Sequence, residues 1–167
     1  MDTRECIKSS SIFSTLEDEE LEEILNLASE INFTKGNVIM QEGEKGDTMY
    51  MVMEGEVGVS KTLTLKFGDD DFRETDKVLT RIRPEDRVIF GEMALIGQDN
   101  RSASIMARTD CILLEIKRDE FLSLIKDKPR LGVKILLKLS DLLIDRLKQS
   151  SQDVIRLTTA LSIALSR

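Results

Sequence analysis

Four closely spaced glycines, Gly36, Gly43, Gly46 and Gly55, cut residues 33–59 into apolar runs of three to six residues. A helix does not tolerate that punctuation, because each interior glycine costs about 1 kcal/mol relative to alanine. Val38-Ile39-Met40, Met49 to Met53 and Val57-Gly58-Val59 have the length of strands, and the turn signals recur at intervals of about ten residues. The cadence predicts a small β-sandwich or jelly roll, with these glycines at turns that often require positive φ.

The pattern differs on either side of this run. Residues up to Ser11 read as irregular, and Ile12 to Ile31 as a helix. Leu21, Ile24, Leu25 and Ala28 share one face, and Glu17-Asp18-Glu19-Glu20 fill the first turn. Lys66-Phe67-Gly68-Asp69-Asp70-Asp71 lacks the spacing of a calcium loop and reads as a solvated hairpin tip. Strands are expected at Lys77–Ile82, Arg87–Phe90, Ser102–Ala107 and Cys111–Ile116, with a turn at Pro84-Glu85-Asp86.

The 3.6-residue period then returns. Lys117–Lys126 reads as a short helix, and Pro129 sits well at the start of another. That second helix runs to Leu165, about 55 Å at 1.5 Å per residue. Ile135, Leu139, Leu142, Leu143, Leu147, Val154, Ile155, Leu157, Leu161 and Leu165 give it apolar character along its length. A small sandwich cannot cover so long a helix, which favours a homodimer through it. The alternative folds the helix back on its own barrel, with a break at Ser150-Ser151. The expected fold is α+β: a jelly-roll barrel of about eight strands, flanked by an N-terminal helix and a long C-terminal helix. Residues 1–128 form the barrel domain and 129–167 the dimerisation or signalling element.

Several function classes are excluded by composition. The chain has no histidine, and its two cysteines, Cys6 and Cys111, fit no metal spacing. That disfavours metal centres, Ser-His-Asp triads and Cys-His dyads, so no metal, catalytic residue or enzymatic activity is expected. Cys111 alternates with apolar neighbours and reads as a small buried hydrophobe. A net charge of −7 disfavours bulk nucleic-acid binding, although nine basic and four acidic residues follow from Lys126 onward. No apolar run is long enough to span a membrane and no secretory signal core opens the chain, which points to the cytoplasm.

Residues 90–105 carry a distinctive set of groups. Phe90-Gly91-Glu92-Met93-Ala94-Leu95-Ile96 opens a short helical turn, Gly97-Gln98-Asp99-Asn100 forms an elbow, and Arg101-Ser102-Ala103-Ser104-Ile105 follows. N–H groups at the start of a helical turn attract an anion. Arg101 offers forked donors and a counter-charge, and Glu92 an acceptor for a sugar hydroxyl. The set suits one small anion that carries a sugar.

The β-run Phe33-x-Lys35-Gly36-x-Val38-Ile39-x-x-Glu42-Gly43-x-x-Gly46-Asp47-x-x-Tyr50-x-Val52-x-x-Gly55-x-Val57 belongs with Phe90-Gly91-Glu92-x-Ala94-Leu95 and Arg101-Ser102-Ala103. Together they resemble the cyclic nucleotide-binding domain family, over about Leu16 to Gln149. The resemblance makes Gly91 to Ile105 a phosphate-binding cassette. Glu92 would hold the ribose 2′-hydroxyl and Arg101 the cyclic phosphate. The backbone near Gly91, Met93 and Ala94, with Ser102 and Ala103, would complete the cradle. Glu92 and Arg101 are expected to pair with each other without ligand and to separate on binding.

Leu139-Ser140 and Arg146-Leu147-Lys148-Gln149-Ser150-Ser151 resemble the dimer helix of the catabolite-activator branch of that family. There a hydroxyl pair, one residue from each subunit, meets the purine base, a place matched by Ser150 and Ser151. The resemblance therefore implies a sensor that binds cAMP and reports it through the C-terminal helices to an effector protein. cGMP is the alternative, because the Ser102 hydroxyl is compatible with it. A second reading is a dimeric interaction module whose pocket has lost its ligand.

Two departures stand out. The family's Gly-Asp ahead of Phe-Gly-Glu is replaced by Pro84-Glu85-Asp86-Arg87-Val88-Ile89, which predicts a shifted strand into the cassette. The activator branch also continues into a DNA-binding domain, whereas this sequence stops at Arg167, so direct DNA binding is not expected.

Overall fold

The computed structural model describes residues 2–66, 72–97 and 100–166, without the side chains of residues 63–66 and 72–76. The hairpin tip expected at Phe67–Asp71 lies outside the described residues. Two short helices, α1 (Thr3–Ser9) and α2 (Asp18–Leu25), precede the strands β1 (Ser29–Phe33), β2 (Val38–Met40), β3 (Thr48–Glu54), β4 (Val57–Lys66) and β5 (Phe72–Ile82). A 3-10 turn at Pro84–Asp86 leads to β6 (Ile89–Phe90), the short helix α3 (Met93–Ile96), β7 (Ser104–Ala107) and β8 (Cys111–Lys117). Helices α4 (Arg118–Asp127) and α5 (Pro129–Leu165) close the chain.

The eight strands form two antiparallel sheets of four, ordered β1-β8-β3-β6 and β2-β7-β4-β5. β3 explains how the layers stack. Met49, Met51 and Met53 point to one face and join α1, α2, α4 and α5 in a helical core with Ile7, Phe13, Ile24, Phe121 and Ile135. Tyr50 and Val52 point to the other face and pack between the sheets with Met40, Val57, Phe90 and Leu113. A strand buried on both faces loses the polar alternation of a half-exposed one, and six of its seven residues are buried.

The N-terminal expectation was wrong in two places. Residues 3–9 are helical, because the buried Cys6 and Ile7 anchor α1 in the helical core. The helix expected over Ile12–Ile31 is confined to Asp18–Leu25, closed at its start by reciprocal hydrogen bonds between Glu17 and Glu20. Ser29–Phe33 is instead a strand, paired with β8 in the register Ile31↔Leu113 and Phe33↔Cys111. Tertiary pairing outweighs local propensity there.

The entry to the cassette also departs from the extended strand expected at Arg87–Phe90. Arg87 is left-handed at φ 53°, and strand pairing begins only at Ile89, opposite Met51. Arg87 thus provides the chain reversal that a glycine would make without steric penalty. Of the four turn glycines, Gly36, Gly43 and Gly55 have positive φ. Gly46 does not, and its reason is spatial, as described below.

Helix α5 runs unbroken through Ser150-Ser151. Leu131, Ile135 and Leu139 bury one face of its first turns in the helical core, and from Leu143 onward every described residue is exposed. At Gly132 an added Cβ would lie 2.8 Å from Ile125 Cβ, so the glycine lets α5 press against α4.

Candidate functional site

A cavity of about 530 Å³ opens between the cassette, β4, β5 and one face of α5. Gly91, Glu92, Met93, Ala94, Arg101, Ser102 and Ala103 all line it, so seven of the nine expected site residues converge. Ser150 and Ser151 do not line it. They lie one turn beyond Arg146 on the exposed face of α5, where Ser151 Oγ donates to Leu147 O at 2.9 Å.

Three elements hold Arg101. Its backbone is pinned to the loop that connects β2 and β3: Arg101 N–H donates to Glu44 O at 2.7 Å, and Gly43 N–H donates to Arg101 O at 2.9 Å. Its side chain lies in a groove floored by glycine. A Cβ on Gly46 would sit 1.9 Å from Arg101 Nε, and one on Gly91 would sit 2.7 Å from Nη1. These two glycines therefore make room for the guanidinium, a constraint independent of turn geometry. Nη1 donates to Thr48 O at 2.7 Å and to Gly91 O at 3.4 Å. Burial lowers the guanidinium pKa, opposed by Tyr50, Asp47 and Glu92. Tyr50 stacks on Phe90 at 5.6 Å between ring centroids, which ties β3 to the strand entering the cassette.

Glu92 is the N-cap residue of α3 and is buried at 2% exposure. The expected Glu92–Arg101 pair is absent. Glu92 instead pairs with Arg146 of α5, whose Nη2 also donates to Ile89 O at 2.8 Å. The physical reason is the direction of each side chain: the carbonyls of Thr48 and Gly91 draw Arg101 toward the start of β3, while α5 brings a second cation over the buried carboxylate. A buried carboxylate needs such a partner.

The motifs in the sequence leave Arg146 outside the site. A signal was present: Leu131, Ile135, Leu139 and Leu142 mark the barrel-facing stripe of α5, and Arg146 is the next position on it. A cation on an apolar stripe needs a counter-charge. Thr48 was also missed. Its carbonyl and hydroxyl accept from Arg101, and its hydroxyl also accepts from Tyr50 Oη.

Arg81 and Asp86 also line the cavity. Among the described residues no cluster of histidine, cysteine or carboxylate side chains could hold a metal ion. Cys6 and Cys111 are both free and buried, and burial raises the Cys6 thiol pKa. Among the described residues no helix is long and apolar enough to cross a membrane.

The comparisons agree with this architecture. Residues 30–128 match the family model described as the cyclic nucleotide-binding domain. The cyclic AMP receptor protein of Thermus thermophilus is 29% identical over 74% of this chain and 52% of its own length. Human cGMP-dependent protein kinase 2 is 32% identical over 71% of this chain and 14% of the kinase. The crystal structure of Thermus thermophilus catabolite activator protein superimposes with a TM-score of 0.73 at 28% identity, covering 89% of this chain and 63% of that one. The chain thus spans about half of this bacterial relative and a small part of the kinase. Eight strands in two antiparallel sheets, the helices around them and the match over residues 30–128 lead to one assignment: the chain belongs to the cyclic nucleotide-binding domain family.

Proposed function

We propose that the cavity binds a cyclic nucleoside monophosphate, cAMP in preference to cGMP, and that α5 reports its presence. The observation that carries this reading is the position of Arg101, held in a glycine-floored groove beside α3 and Glu92. In that reading Arg101 meets the cyclic phosphate. The backbone at Gly91, Met93 and Ala94, with Ser102 and Ala103, completes the cradle, and Glu92 accepts from the ribose 2′-hydroxyl. Arg146 shares Glu92 with the sugar, so ligand binding changes the contact that docks α5 and shifts the helix between placements. No residue is assigned a catalytic role. The role is regulatory, with an effector protein as the listener.

The exposed face of α5 supports a homodimer as part of the same reading. Val133, Leu137, Ser140, Ile144, Leu147, Ser151, Val154, Thr158, Leu161 and Leu165 alternate at spacings of four and three, and all are exposed. That is the seam of a two-stranded coil. Residues 129–167 then act as the dimerisation element on the barrel domain of residues 1–128. In a parallel pair, Ser150 and Ser151 of the partner subunit approach the open side of the cavity, where a purine base would lie. The hydroxyl pair supports adenine; the Ser102 hydroxyl keeps guanine as the competing ligand.

Calorimetric titration with cAMP and cGMP tests the proposal. cAMP is expected to bind more tightly, and Arg101→Leu to weaken it by roughly 2–4 kcal/mol, on the order of 100-fold. No heat from either nucleotide, on protein freed of carried-over ligand, overturns the sensor reading and leaves the interaction module.

A further inference from the structure

The last three turns of α5 carry more apolar surface than a two-stranded seam can cover. In the heptads up to Lys148 one flank of the seam is charged, at Asp141 and Lys148, while Leu136 and Leu143 line the other. One charged flank suits a two-stranded coil. From Val154 the charged flank is lost. Ile155 and Leu157 border the seam on opposite sides, and Ala164 follows. At 100° per residue, Ile155, Thr158, Leu165, Val154, Leu161, Leu157 and Ala164 sweep about half the helix circumference. Val154, Ile155, Leu157, Leu161 and Leu165 are between 59% and 78% exposed, as is Ile163 outside that arc, and among the described residues nothing covers them.

We infer that this distal segment, Val154 to Leu165, is the contact between two dimers, packed end to end as an antiparallel four-helix bundle. In a bundle each helix touches two neighbours and buries an arc of that width, whereas a pair leaves both flanks in water. A second copy fits for a further reason. An isologous contact must be complementary to itself, and this segment has a single charge, Arg156, set off the apolar arc. The antiparallel arrangement follows from charge and bulk: each subunit carries −7, and its barrel sits on the first turns of α5. Opposed dimers place their barrels at far ends of the bundle instead of crowding four acidic barrels together.

The inference rests on the dimer reading and is separable from it. Sedimentation equilibrium of the 167-residue chain is expected to give a tetramer. Ile155→Glu with Leu157→Glu is expected to give a dimer, and so is truncation after Gln152. Both variants alter only exposed helix remote from the barrel, so an unchanged circular dichroism melt of the barrel accompanies them. A parent chain that stays dimeric over the accessible concentration range overturns the tetramer and leaves the dimer intact. A monomeric parent overturns both. A tetramer that persists in the double Glu variant removes this segment as the contact.

Discussion

Glu92 and Arg146, 54 positions apart in sequence, form an ion pair in which the carboxylate side chain is 2% exposed and the guanidinium 42%. The pair joins the cassette to α5. Arg146→Leu leaves a buried carboxylate without its cation and is expected to lower stability by about 2 kcal/mol. Adding Glu92→Gln should recover much of that loss, because the charge is then gone. Urea midpoints of the two variants and the parent measure both effects. An unchanged midpoint for Arg146→Leu would show that the pair adds nothing to docking.

Two glycine substitutions separate space from conformation. Gly46→Ala places a methyl where the Arg101 side chain lies, so it should weaken nucleotide binding at least tenfold while the barrel stays folded. Gly36→Ala meets nothing within 4 Å but must adopt φ 90°. It should lower stability by about 1 kcal/mol and leave affinity unchanged. Calorimetry and thermal melts on the pair give the contrast. Equal affinity for Gly46→Ala and parent would show that Arg101 can move aside freely.

At Arg87 the left-handed backbone predicts an inverted mutational response. Arg87→Gly is expected to raise stability by about 0.5 kcal/mol, since relief of strain exceeds the added freedom of the unfolded chain. Arg87→Val should lower it by about 1 kcal/mol or more, because a branched side chain suits this region least. Chemical unfolding of both variants provides the check, and the ranking Gly above Arg above Val is the criterion.

Stability should fall in acid, in part through the contact between α2 and α5. A hydrogen bond from Lys134 holds the Glu20 carboxyl below the usual carboxylate range, aided by the backbone N–H of Glu17. A carboxylate lowered by folding stabilises the native state above its unfolded pKa, and that contribution is lost as pH falls through the folded value. The loss therefore begins below about pH 4.5. Glu20→Gln should flatten that limb of the melting-temperature profile, by a small amount because the pair is solvent-screened. Matching acid limbs in parent and variant would remove Glu20 as a contributor.

The sequence was most legible where one periodicity ruled alone. The glycine-cut strands and the span Pro129–Leu165 emerged directly, because turn chemistry and a sustained 3.6-residue period are local signals. β1 was misread because Ile31 and Phe33 become strand residues only through their partners on β8. α1 was missed because seven residues make too weak a helix by themselves, and burial of Cys6 and Ile7 supplies the rest. In the cavity, motif spacing brought Gly91 to Ala94 and Arg101 to Ala103 together. It gave the wrong partner to Glu92, since only the packed structure shows which cation α5 carries to the cassette. Gly46 was legible as a glycine but not as the floor under Arg101, a relation between segments 55 positions apart.

The close approach of α5 to α4 at Gly132 has a mechanical consequence. From that contact to Leu165 the helix extends about 50 Å at 1.5 Å per residue. A tilt of about 5° around Gly132 would carry the far end through about 4 Å, the rise of nearly three residues. A sub-ångström adjustment between Ile125 and Gly132 would thereby be enlarged at the tip.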